Sequence, residues 1–469
     1  MPKQKGKPSG QIQLRRQFGF FDSTMVLVGI VIGSGIFTTT GIMAKSIPSA
    51  GLILLAWTAG GLLTLAGALT YAELGAAFPE AGGQYVYLRE AYGHMVAFLF
   101  GWVLFLVYMT GGIAGLALAF SEYFGNFVPS LSTESVLLNE TFNIFTIPLH
   151  ISLSAGQLVG VSVILLLSLF NFIGVFLGKM IQNVFTVLKI GIVAAIIVLG
   201  FTLGKGSAPQ LSLNPAGWSF SQMAVGFGLS LVAVTWAFDG WNNVNFVAGE
   251  IKNPQRNLPR ALITGTLGVT FLYVLVNYIY FYALPMKDIT GVVQIGEKAS
   301  GALFGPSVGL LISGVILISI FGSINGSILA GPRVYYAMAK DGLFMRRVSE
   351  VHPRFKTPGF AILVQAIWAS LLTLAGTFEQ IFTFAMFMAI AFWIAATASV
   401  FTLRKKLPDL PRPYKTWGYP VVPALFILMS SGILLNTLLE KPIEALAGIL
   451  FTVLGIPVYF FWKKRNKPE

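Results

Sequence analysis

The sequence predicts an all-α integral membrane protein with twelve transmembrane helices. Hydrophobic residues make up 55% of the chain and charged residues 10%, a balance foreign to water-soluble domains. Apolar runs long enough to cross about 30 Å of hydrocarbon, roughly 20 residues each, recur along all 469 residues. They are too long and too little alternating to be barrel strands. The basic residues, finally, sort by topology rather than forming one face.

Taken in order, the spans run 19–45, 51–78, 95–126, 153–176, 180–203, 220–251, 259–285, 304–338, 358–376, 380–403, 419–438 and 442–462, each bounded by charged residues or by Pro and Gly. The first is interrupted midway by Val31-Ile32-Gly33-Ser34-Gly35-Ile36-Phe37. Two glycines around a serine weaken a helix where no water can satisfy the freed backbone, so that backbone must face protein, a cavity or a ligand. The second through fifth spans are continuous, and the segment between the third and fourth, about 127–152, reads as an external loop without basic residues. The sixth span carries a second interruption, Trp236-Ala237-Phe238-Asp239-Gly240-Trp241-Asn242-Asn243. Broken spans at corresponding places in successive five-helix units predict inverted repeats. The units are a basic cytoplasmic tail (1–18), a first repeat (19–203), a second repeat (204–403), two peripheral helices (404–462) and a second basic tail (463–469).

Twelve spans place both termini on one side. That side collects 25 of the 31 basic residues, including Lys3, Lys5, Lys7, Arg15 and Arg16 in one tail and Lys463, Lys464, Arg465 and Lys467 in the other. Five, Lys45, Lys205, Lys287, Lys298 and Lys441, fall on the opposite side. The positive-inside rule makes the terminal side cytoplasmic, in a cell (inner) membrane. A pI near 9.7 thus reflects membrane topology and not nucleic-acid binding. Cysteine is absent, which excludes disulfides and thiol chemistry, and the three histidines lie near span ends, so neither a metal site nor a cofactor is expected.

The first break leaves carbonyls near Val31 and Ile32 beside the amides of Ser34, Gly35 and Ile36, with Gly33 at the turn. Amides at a helix N-terminus suit a carboxylate, and carbonyls at a helix C-terminus suit an ammonium. The pairing fits the two ends of an amino acid, although Gly29 and Gly33 also match a small-residue packing face. Asp239 sits at the second break, where a carboxylate costs about 2.5–3.5 kcal/mol at the bilayer centre. It can receive a substrate amine, hold unwound backbone, carry a proton, or stand as a neutral structural acid. Lys189 lies about ten residues from the inner end of the fifth span, roughly 15 Å deep, beyond easy snorkelling. Such a fixed cation can replace a coupling ion or pair with a carboxylate for stability. Trp236 and Trp241 can act as lids or as packing, while the Ser323-Ile324-Asn325-Gly326-Ser327 run, Tyr273 and Asn277 read chiefly as helix joints.

The ordered motifs Ile32-Gly33-Ser34-Gly35-Ile36-Phe37, Tyr71-Ala72-Glu73-Leu74-Gly75, Gly82-Gly83-Gln84-Tyr85, Phe238-Asp239-Gly240-Trp241-Asn242, Asn253-Pro254-Gln255-Arg256-Asn257-Leu258-Pro259 and Gly322-Ser323-Ile324-Asn325-Gly326-Ser327 resemble the L-type amino acid transporter family, within the amino acid, polyamine and organocation superfamily. The resemblance implies a LeuT-like 5+5 inverted repeat with helices 1 and 6 broken. It implies a transporter and not an enzyme: a sodium-independent exchanger of L-amino acids, expected to be neutral, working by alternating access. A proton-coupled symporter is the alternative, motivated by Asp239 and by Glu122 near the outer end of the third span. By the same resemblance Val31, Ser34 and Gly35 hold the substrate backbone, Trp236 is the aromatic gate, and Lys189 with Tyr273 supports the first broken helix. Animal members bond a heavy subunit through a cysteine that this chain lacks. Its expected partners are therefore substrate and membrane lipid, with the monomer as the working unit.

Overall fold

The computed structural model describes residues 14–144, 147–215, 217–305, 307–376 and 378–465. Lys3, Lys5, Lys7 and Lys467 of the basic tails lie outside the described residues. Apolar helices dominate from the first described span: α1 (Phe20–Val31) and α2 (Gly35–Ser46) meet at a bend of 41°. Next come α3 (Ala50–Ala77), α4 (Gln84–Tyr92), and α5 (His94–Val103), which continues through a π-helical turn at Leu104–Tyr108 into α6 (Met109–Gly125). The segment read as a plain external loop forms an antiparallel hairpin, β1 (Val136–Ile144) with β2 (Ile147–Ser154), paired from Val136 opposite Ser154 to Ile144 opposite Ile147. Its strands of nine and eight residues are less than half the length of a membrane span, a pattern that hydropathy windows tuned to helices pass over.

Helix starts follow local chemistry. In α7 (Ala155–Ile173) the Gln157 amide donates to Ser154 Oγ at 3.2 Å while the Ser154 amide donates to Gln157 Oε1 at 2.6 Å. This reciprocal cap satisfies two donors that a helix start leaves open. After α8 (Val175–Thr202), α9 (Phe220–Ala237) repeats the device with Ser219 and Gln222. The chain beyond Ala237 departs from the expected pair of half-helices. It turns through 238–242 and then forms a 3₁₀ helix, Asn243–Glu250.

The second half comprises α10 (Pro254–Ala283), the short α11 (Met286–Ile289) and α12 (Ile295–Phe304), α13 (Val308–Ala330), α14 (Pro332–Lys340), α15 (Gly359–Ala375), α16 (Phe378–Lys406), α17 (Val421–Glu440) and α18 (Pro442–Arg465). Among the described residues ten helices are long and apolar enough to cross a membrane, or eleven with the bent α1–α2 pair counted as one span. The expected ninth span, α15, has 17 residues. At 1.5 Å per residue it is roughly 25 Å long, short of a full hydrocarbon crossing.

The core is where the breaks lie. α1 packs among α8, α10 and α13, α2 lies along α9, and α3 lies along α10. Close to the start of α1 several elements are tied together. Glu250 forms a bidentate, buried ion pair with Arg333 (2.6 and 3.2 Å), and its carbonyl accepts from the amides of Gln17 and Phe18. Phe18 bridges Ile251, and Asn242 Nδ2 donates to Gln84 Oε1 at 2.8 Å.

Candidate substrate site

The Gly33-Ser34-Gly35 stretch links the end of α1 to the start of α2; the Gly33 amide donates to the Val31 carbonyl at 2.8 Å and the Ser34 carbonyl accepts from the Phe37 amide at 2.9 Å, while other backbone groups lose their helical partners. Helix spacing and neighbouring side chains decide which of them stay free. Tyr273 OH, from α10, lies 2.8 Å from the Val31 carbonyl and 3.2 Å from the Ala237 carbonyl, joining the two breaks through one hydroxyl. Lys189, from α8 and 1% exposed, donates to the carbonyls of Gly29 (2.8 Å), Ile32 (2.6 Å) and Ser319 (2.8 Å) and touches Ser323 Oγ at 3.2 Å. Ser319 and Ser323 also donate to these carbonyls. Among the described residues no carboxylate pairs with Lys189. Three backbone oxygens and a hydroxyl surround its charge, the oxygen-rich setting a hard cation takes.

The donors are left over. The amides of Ser34, Gly35 and Ile36 make no hydrogen bond to a described residue, and Ser34 contributes no side-chain cap to α2. They face the start of the outer half-helix, where the helix dipole favours a negative charge. Beside them lies a cavity of about 310 Å³, at the small end of the roughly 300–1,000 Å³ usual for small-molecule sites. Val31, Gly33, Ser34, Gly35, Trp236 and Asp239 line it. Ile32 and Ile36 do not: both are buried in the core, and only their main chain belongs to the break. Lys189 and Tyr273 stand behind the break as props and do not line the cavity.

Close approach of the breaks explains two glycines. A Cβ on Gly35 would come within 3.2 Å of Ala237 Cα and Cβ. Gly240 has φ +92°, and a Cβ there would meet Ile30 Cγ2 at 2.3 Å. The cavity extends past Glu122, Tyr123, Val293 and Gln294, away from the Glu250–Arg333 pair.

Asp239 accepts a hydrogen bond from Tyr108 OH, the last residue of the π-helical turn. π-Turns are frequent at functional sites, but no sequence pattern marks this one. Trp241 is 2% exposed and sits among Tyr71, Trp393 and Phe426 with ring centroids 4.8–6.0 Å away, which makes it packing; Trp236 alone of the two lines the cavity. The eighth-span serines divide. Ser323 meets Lys189, whereas Ser327 lines the cavity. Asn325 joins Asn171 and Gln182 at 2.8 Å each, a helix joint as expected. Sequence reasoning passed over Tyr108 and left Asn243 without a role, although it too lines the cavity.

A many-helix membrane bundle with a largely apolar cavity, lined where α1 gives way to α2 and where α9 ends, defines a membrane transporter. Residues 18–463 match the amino acid permease family, and the chain belongs to it; it is a permease and not an enzyme. It is similar to the serine/threonine exchanger SteT of Bacillus subtilis (strain 168), at 35% identity over 97% of this chain and 98% of that one. It is also similar to the human b(0,+)-type amino acid transporter 1, at 30% identity over 96% of this chain and 88% of the relative. Human large neutral amino acids transporter small subunit 2 is 29% identical over 98% of this chain and 84% of its own length. The resemblance to L-type transporters read from the motifs therefore holds across the chain. Without cysteine, no disulfide to a heavy subunit can form.

Proposed function

We propose that this permease is a sodium-independent exchanger of neutral L-amino acids that works by alternating access. The observation that carries the reading is the Lys189 ammonium on the carbonyl side of the first break, opposite three free amides of which those of Ser34 and Gly35 belong to residues lining the cavity. A fixed cation holds the unwound turn without a bound ion, so sodium has no required place. The amides of Ser34, Gly35 and Ile36 take the substrate carboxylate. The carbonyl half of the clamp is narrower than the sequence implied, because Ile32 and Val31 already accept from Lys189 and Tyr273. Val31 O accepts from the Gly33 amide as well, so the substrate ammonium turns to Asp239, with Trp236 closing over it.

The same reading takes spans 1–5 (19–203) and 6–10 (204–403) as LeuT-like inverted repeats, with α15 as the ninth of twelve spans and α17 and α18 peripheral. Packing supports it: α3 pairs with α10, α6 with α13, and α7 with α15, each the partner expected from a five-helix offset. Both termini are assigned to the cytoplasm of a cell (inner) membrane, with the monomer as the working unit. The cavity then faces outward, and Glu250–Arg333 is the closed inner end. The exchanger named among the relatives supports exchange over net uptake.

Labelled amino acid uptake into proteoliposomes in sodium-free buffer tests this. Uptake should require internal amino acid; equal uptake into empty vesicles, or strict dependence on sodium, would overturn it. Proton-coupled symport is the second reading, favoured by the Tyr108–Asp239 contact inside the cavity. It requires that an imposed pH gradient drive accumulation into vesicles without internal substrate.

A further inference from the structure

The backbone clamp accounts for the carboxylate and ammonium of a substrate and says nothing of its side chain. Of the three asparagines at the second break, two lie away from the cavity. Asn242 Nδ2 donates to Gln84, and Asn245 donates to the Asn242 carbonyl at 2.9 Å while accepting from Tyr87 OH at 3.0 Å. The Oδ1 atoms of Asn242 and Asn243 are both buried without a hydrogen-bond partner among the described residues, but of the three only Asn243, 3% exposed, lines the cavity where a ligand can meet it. A buried amide oxygen left unpaired is costly, and native proteins seldom carry one without a reason. Ser327, on α13, also lines the cavity, with a hydroxyl that makes no hydrogen bond to a described residue. The 3₁₀ segment that begins at Asn243 packs against α13, so the two polar groups belong to one wall.

We propose that Asn243 and Ser327 form the side-chain subsite of this permease and select small hydroxylated amino acids. This rests on the proposed amino acid exchange. The chemistry is complementary: a substrate hydroxyl donates to Asn243 Oδ1 and accepts from Ser327 Oγ, pairing both groups at once. An aliphatic side chain of the same shape leaves Asn243 unpaired in a closed cavity. A long cationic side chain can donate to Asn243 but cannot accept from Ser327, and it needs more room than a cavity of about 310 Å³ leaves beyond the clamp. Asp239, already accepting from Tyr108, remains free for the substrate amine.

Threonine and valine are nearly isosteric and differ in the hydroxyl, so their competition isolates the subsite. The full-length protein in proteoliposomes is assayed for exchange with labelled alanine, threonine or leucine as tracer, and unlabelled threonine, valine and lysine compete. Threonine should inhibit at a concentration about fivefold or more below valine, as expected when a buried acceptor loses its donor. Asn243→Leu, and separately Ser327→Ala, should bring that ratio toward one. Equal inhibition by threonine and valine in the unmodified protein would overturn the subsite, as would a ratio unchanged in both variants or stronger inhibition by lysine than by threonine. If no tracer exchanges at all, the exchange reading itself fails. Exchange without threonine–valine discrimination removes only the subsite.

Discussion

Replacing Lys189 with methionine keeps the apolar stem and removes the three protons that hold the first break. Those protons serve the carbonyls of Gly29, Ile32 and Ser319. In their absence the hydroxyls of Ser319 and Ser323 still donate to Ile32 and Gly29, so each of these two buried carbonyls keeps a neutral donor and loses a charged one. Losing the charge-assisted bond at both costs about 1–3 kcal/mol in total. Applied to the ordered, substrate-ready break, that is roughly a 5- to 150-fold loss in its population. Global stability should fall by less, because the variant also sheds the desolvation cost of a buried ammonium. Exchange should therefore drop about tenfold or more in proteoliposomes, while fluorescence-detected size-exclusion chromatography still shows a monodisperse, membrane-extracted protein. Exchange at the unmodified rate in folded Lys189→Met would refute the assignment of Lys189 as the prop.

Other perturbations reach different parts of the account. Gly35→Val sets side-chain atoms against Ala237, where a Cβ alone already lies at 3.2 Å; substrate competition should vanish while the protein remains extractable, and unchanged affinity would remove Gly35 from the site. Gly240→Ala combines a positive φ with a 2.3 Å approach to Ile30, and a lowered melting temperature with slowed exchange is expected, whereas a neutral effect would deny that the two breaks are locked together. Glu250→Gln leaves Arg333 buried without its charge partner, a loss of about 3–5 kcal/mol when one member of such a pair is removed. Cysteine accessibility introduced at Ser327 from the terminal side should rise in that variant, and unaltered labelling would mean that the pair does not close the inner end.

The two breaks were legible because glycine, serine and aspartate are out of place inside apolar runs, and Lys189 for the same reason. What those residues do was only partly legible. The sequence shows that Ile32 and Val31 have freed carbonyls, but not that Lys189 and Tyr273 occupy them, since the occupants come from α8 and α10, far along the chain. Trp236 and Trp241 read alike, and only packing against Tyr71, Trp393 and Phe426 separates the core residue Trp241 from the cavity-lining Trp236. Tyr108 reaches Asp239 from a π-turn within an otherwise ordinary apolar span, where an extra residue per turn leaves no compositional mark. The 3₁₀ form of Asn243–Glu250 and the external hairpin were missed for a related reason: both are short, and hydropathy windows average over them. The 17-residue α15 shows the same limit at the level of span counting.

Recognition of the substrate carboxylate by free main-chain amides at the first break is tested most directly by comparing L-threonine with L-threoninamide as competitors of exchange in the full-length protein. The two share a side chain and an amine and differ in the carboxylate. The amide should compete at least tenfold more weakly; equal competition would show that the amides of Ser34, Gly35 and Ile36 do not hold a carboxylate.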